Sequence, residues 1–84
     1  GLERSAAKRA FDEFLSGKAL SANQIQFIDL IVDHLTEHGA MDPTLLYESP
    51  YTDYHPLGIA GIFSTQDAQR IAGVLADIKR RAAA

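Results

Sequence analysis

Eighty-four residues with 46% hydrophobic and 23% charged side chains suit one globular domain. A chain this short buries only roughly 60–65% of its unfolded surface, which excludes a second domain or a deep substrate cleft. Its formal net charge of −3 is unevenly laid: all 8 Lys and Arg lie towards the ends (Arg4, Lys8, Arg9, Lys18, Arg70, Lys79, Arg80, Arg81), while Ala19 to Gln69 holds acids but no Lys or Arg.

Leu2 to Ser16 carries Ala7, Ala10, Phe11, Phe14 and Leu15 at helical spacing, with Gly17 placed to stop it. This predicts a first helix, with Arg9 and Glu13 paired four apart on its outer side. Ser21 followed by Gln24 spells a capping box, and Leu20 and Ile25 hold the positions of a hydrophobic staple. The second helix then runs to Gly39. Ile25, Phe27, Ile28, Leu30, Ile31, Val32 and Leu35 cover most of its circumference and leave a polar stripe at Gln26, Asp29, Asp33 and Glu37. A helix so apolar has to be covered on two or three sides, which makes it the central element. Asp42-Pro43 repeats the start signal and predicts a short helix through Tyr47, broken by Ser49-Pro50. Pro50 to Phe63 follows neither the helical nor the strand period and reads as a long Tyr/Pro loop, with an extended piece at Ile59 to Phe63. Ser64 with Asp67 opens the last helix, whose apolar face is Ala68, Ile71, Ala72, Leu75 and Ile78. Asp77 and Arg81 are spaced to pair on its outside, and Ala82 to Ala84 reads as a frayed end. The fold class expected is all-α: three main helices, a short one and a long loop, in a single domain over residues 1–84.

Several kinds of chemistry are excluded by what is missing. The chain has no cysteine, hence no disulfide, Cys-based zinc site or thiol nucleophile, as in a cytoplasmic protein. No apolar run approaches the roughly 20 residues that span a membrane, and no signal peptide is visible. Gly17-Lys18 lacks the spacing of a phosphate-binding loop, and Gly58 to Gly61 is not one either. His34-Leu35-Thr36-Glu37-His38 spells H-x-x-E-H, a zinc-enzyme pattern. A third ligand would have to come from Asp42, Glu48 or His55, and His38 sits at a helix end, where a cation complements the helix dipole. No catalytic, cofactor-binding or metal residue is therefore assigned. The acidic middle would attract a basic protein surface, unless the basic terminal helices lie against it and neutralise it within the fold. Tyr47, Tyr51 and Tyr54, beside Pro50 and Pro56, suit either a protein interface or a loop pinned to its own core.

The runs LSANQIQFIDLIVDHLTE (20–37), GAMDP (39–43), LYESPYTD (46–53) and GIFS (61–64) carry a resemblance. Together they resemble the C-terminal domain of the R (restriction) subunit of type I restriction–modification enzymes, over a core of residues 20–78, with residues 1–18 matching more loosely. The absence of Met at Gly1 fits a piece of such a longer subunit. The resemblance implies a parent that translocates and cuts DNA at the expense of ATP, with Mg²⁺. Its nuclease and motor domains would lie upstream, and this helical domain would assemble onto the modification methyltransferase subunit. It carries no catalytic residue onto this chain. The candidate partner-binding residues are Asp29, Asp33, Glu37, Asp42, Tyr47, Glu48, Tyr51, Asp53 and Tyr54. The alternative is an accessory DNA contact made by the basic terminal helices.

Overall fold

Caps and breakers set the order of elements. In the computed structural model, which describes residues 2–83, the α-helices are α1 (Arg4–Arg9), α2 (Asp12–Ser16), α3 (Ala22–His38) and α4 (Thr65–Ala83). Three 3-10 turns fill the span between α3 and α4: η1 (Pro43–Tyr47), η2 (Tyr51–Asp53) and η3 (Gly58–Gly61). The all-α expectation holds, with no strand among the described residues. Gly1, just before the expected first helix, and Ala84, the end of the expected frayed tail, lie outside the described residues.

The best-marked start is built as its sequence prescribes. The Ser21 side chain accepts from the Gln24 N–H at 3.2 Å, and the Gln24 side-chain Oε1 accepts from the Ser21 N–H at 3.0 Å. Gln24 then does something a glutamate cannot: its amide nitrogen donates to the Ile62 carbonyl at 3.1 Å, tying the start of α3 to the end of η3. At the other end Gly39 takes a positive φ of 90° and returns its N–H to the Leu35 carbonyl. Phe27, Ile28, Ile31, Val32 and Leu35 are buried, while Ile25 stays 43% exposed, so its staple position adds little burial.

Two expectations are corrected and a third holds in a tighter form. The first helix is broken at Phe11, where φ −112° and ψ 13° leave the helical region and the N–H bonds the Lys8 carbonyl at 3.0 Å. No proline or glycine marks that break; the turn lets α1 lie against α3 while Phe11 and Phe14 both enter the core. Ile59 to Phe63 is not extended: Gly58–Gly61 forms η3, and the Ile62 and Phe63 N–H groups both return to the Ile59 carbonyl. The short helix after Asp42-Pro43 exists as a 3-10 turn, capped by the Asp42 side chain accepting from the Thr44 N–H at 3.0 Å.

The core joins every layer. Ala68, Ile71, Leu75 and Ile78 on α4 and the five buried residues of α3 close over Ala7, Phe11, Phe14, Met41, Leu46, Tyr51, Ile59 and Phe63. The loop span belongs to that core: η1, η2 and η3 pack on one another, and α4 packs on η1 and η3. Their crossing is close enough to exclude a side chain. A Cβ on Gly58, whose φ is +62°, would stand 2.4 Å from the Leu46 carbonyl oxygen and 2.9 Å from the Tyr47 Cα. Gly73, in the middle of α4, has nothing within 4 Å of its Cβ position.

The two glycines should therefore respond in opposite senses. Gly58→Ala should lower the free energy of urea unfolding by about 2–4 kcal/mol, through strain and collision with backbone. Gly73→Ala should raise it by about 0.5–1 kcal/mol, by helix propensity alone. Gln24→Glu, which keeps the capping-box acceptor but loses the donor to Ile62, should cost about 1 kcal/mol or more in the same measurement.

Candidate functional site

The acidic stripe of α3 meets the N-terminal helix. Asp33 and Glu37 are exposed and Asp29 is half-buried. Arg4 of α1 donates to the Asp33 carboxylate, and that bond is the main cause of the raised pKa of its guanidinium, with Asp29 adding attraction. The same arrangement recurs around the molecule. Lys79 of α4 reaches Asp42 at 3.0 Å, Lys18 reaches Asp67 at 2.6 Å, and Arg70 reaches Glu13 at 3.0 Å. The basic ends thus meet three acids of the middle, Asp33, Asp42 and Asp67, within the fold. Neither expected i,i+4 pair forms. Glu13 takes Arg70 in place of Arg9. The Asp77 carboxylate takes Arg80, and Arg81 bonds only the Asp77 carbonyl, at 3.4 Å.

A shallow cleft of about 360 Å³ lies between the same stripe and η2, lined by Leu30, Asp33, His34, Glu37, His38, Pro50 and Tyr51. The His34 and His38 rings stand 4.8 Å apart. Burial lowers the His34 pKa below the ordinary 6.5, as does His38 beside it, and Glu37 opposes the shift. Glu37 stands 3.6 Å from His38 Nε2 at the exposed end of the helix. Among the described residues no three His, Asp or Glu side chains converge to hold a metal, so Asp42, Glu48 and His55 do not complete the H-x-x-E-H pair.

The three tyrosines have three different fates. Tyr51 is 1% exposed, its hydroxyl donating to Met41 Sδ at 3.6 Å; burial, with the Asp33 charge adding to it, pushes its pKa up to about 12. It is a core residue. Tyr54 is half-buried and meets the Phe27 ring edge-on at 5.9 Å. Tyr47 is 55% exposed, flanked by exposed Glu48, with exposed Asp53 on the following turn. Sequence reasoning missed Leu57, which is 61% exposed. Its neighbour Gly58 is the residue seated on the Leu46–Tyr47 backbone, so the two most exposed large apolar side chains flank one backbone crossing. A lone Leu in a loop gives no signal for this; the glycine after it is the one available clue.

An open groove of about 770 Å³ lies where α1, the end of α3 and the end of α4 meet. Leu2, Ala6, Ala10, Gly39, Ala40, Ile78 and Ala82 form its floor and walls, and Arg9, His38 and Arg81 are its ionisable residues. No helix among the described residues is long and apolar enough to cross a membrane.

Fold and surface together define a small all-α domain with ion pairs and projecting apolar groups on its surface. The family model described as EcoEI R protein C-terminal matches residues 2–81, so the chain belongs to that family, the C-terminal domain of type I restriction enzyme R subunits. The match includes α1 and α2, beyond the 20–78 core that carries the resemblance in the sequence. Neither the comparison with curated proteins nor that with solved structures finds a match.

Asp42 offers the clearest pH signature of the site. Its pKa is lowered from 3.8 to about 2, first by the Thr44 N–H and then by Lys79 and the Thr44 hydroxyl. A depressed carboxylate contributes stability that is complete above the unfolded value of 3.8 and lost as pH falls towards about 2. Urea midpoints measured across that window should fall less steeply for Asp42→Asn, which keeps the turn acceptor without the charge, than for the parent chain. Parallel curves would remove Asp42 from the acid response.

Proposed function

We propose that this domain is a non-catalytic assembly module, which docks the motor-bearing R subunit onto the modification methyltransferase core of a type I restriction enzyme. The observation that carries the reading is the exposed Tyr47 and Leu57 pair beside the Gly58–Leu46 crossing. Aromatic and aliphatic anchors with a charged surround are the usual form of a protein contact. Their backbone is held by core packing from both sides, so little order has to be gained on binding. Glu48 and Asp53 supply an acidic border, and Asp29 and Glu37 a second acidic strip on α3; Asp33 and Asp42 take part only by exchanging their present partners. On this reading ATP, Mg²⁺, DNA translocation and DNA cleavage belong to the rest of the R subunit, DNA is met through the whole cytoplasmic complex, and no membrane is involved. The alternative of a direct DNA contact has less support, since Arg4, Lys18, Arg70, Lys79 and Arg80 already face carboxylates.

The test is co-elution of the 84-residue chain with the modification subunit of its own system. The parent chain should co-elute. A Tyr47→Ser, Leu57→Ser double variant, altered only at exposed positions, should lose the complex while keeping its circular dichroism spectrum and melting temperature. Tyr51 is unsuited to this test, because its loss would disturb the core. Failure of the parent chain to co-elute, or retention of binding by the double variant, would each count against the assignment.

A further inference from the structure

The cations of this chain are not used alike. Among the described residues Arg4, Lys18, Arg70, Lys79 and Arg80 each meet a carboxylate, whereas Lys8, Arg9 and Arg81 meet none. Two of these three, Arg9 and Arg81, line the open groove at the meeting of α1, α3 and α4, together with His38, and no acidic side chain among the described residues lines it. In a chain of net charge −3, the ionisable residues that line the larger apolar concavity are thus Arg9, Arg81 and His38, the last with Glu37 at 3.6 Å. Unpaired guanidinium groups beside an apolar floor favour carboxylates that arrive with apolar side chains.

The shape narrows the occupant further. A groove of about 770 Å³ that is open along one side can seat one face of a helix about 10 Å across. Ala6, Ala10, Gly39 and Ala40 in its lining are small enough to let a backbone approach closely, and Leu2 and Ile78 add larger apolar surface. We propose that this groove receives an amphipathic helix of another protein, laying small apolar side chains on the floor and Asp or Glu against Arg9 and Arg81. The surface differs from the Tyr47–Leu57 pair in every residue, so the two assignments fail separately.

The probe is a synthetic amphipathic peptide of about 18 residues, long enough to form helix on binding, with an Ala/Leu face flanked by Glu. A twin carries Lys in place of Glu. Titrated into the ¹⁵N-labelled chain, the Glu peptide should shift the amide signals of Ala6, Ala10 and Ala40 and leave those of Tyr47 and Leu57 in place. An Arg9→Glu, Arg81→Glu double variant should bind the Glu peptide roughly tenfold more weakly and gain binding to the Lys twin. Both substitutions are at exposed positions, and an unchanged melting temperature confirms the fold. The proposal is overturned if the Glu peptide does not bind, if the two peptides bind the parent chain equally, or if the shifts map to Tyr47 and Leu57. It is equally overturned if decanoate fills the groove and excludes the Glu peptide, or if the chain dimerises through it.

Discussion

The ring of Phe27 is the contact on which the rest of the structure depends. It sits near the start of α3 with Tyr51 tilted against it at 5.2 Å and Tyr54 and Phe63 edge-on at 5.9 Å each. Those three partners come from the span Pro50 to Phe63, with two prolines and two glycines, which has no regular hydrogen-bonded ladder to hold it. Aromatic pairs in this geometry contribute about 0.5–1.5 kcal/mol apiece beyond the area they bury. The 3-10 turns are thereby fixed to α3, and α4, which packs on η1 and η3, takes its position from them in turn. The exposed Tyr47 and Leu57 are held in place by the same chain of contacts.

Signals that act within one turn are legible in the residues; those that depend on distant burial are not. The Ser21–Gln24 box, the stop at Gly39, the Asp42 cap and the Ser64 start all rest on groups meeting two to four residues apart, and each is present. The break at Phe11 has no such local cause, because the driving force is burial of that ring against residues far along the chain. The η3 segment reads as extended because its spaced glycines and apolar residues fit a strand as readily as a tight turn. The tyrosines can be read as a set but not sorted, since Tyr51 and Tyr47 differ in which way the turn points them. The acidic stripe is legible as a pattern, yet the ion-pair partners are not: Glu13 looks closest to Arg9 and in fact faces Arg70.

Membership of this family of R protein C-terminal domains gives these features a setting. His34 and His38, the most enzyme-like pair in the sequence, close the end of α3, and their interaction with each other accounts for part of the lowered His34 pKa. What distinguishes the surface is its division. Many of its acids and bases cancel in pairs. Among the groups left over, Glu48 and Asp53 lie by the exposed Tyr47, Asp29 and Glu37 stay on α3, and Arg9 and Arg81 line the apolar groove.

The cancelled pairs have a property that a dipolar surface of isolated charges lacks. Arg4–Asp33 and Lys79–Asp42 are about half exposed on both sides, so water screens them and each is held only weakly. A basic side chain arriving from outside can take over Asp33 while Arg4 turns to water or to another carboxylate, at almost no net change in free energy. From a distance the molecule therefore presents a modest net negative field, while at contact its pairs act as interchangeable sockets. Selectivity in such a surface rests on shape, because the charges will accept any partner that fits.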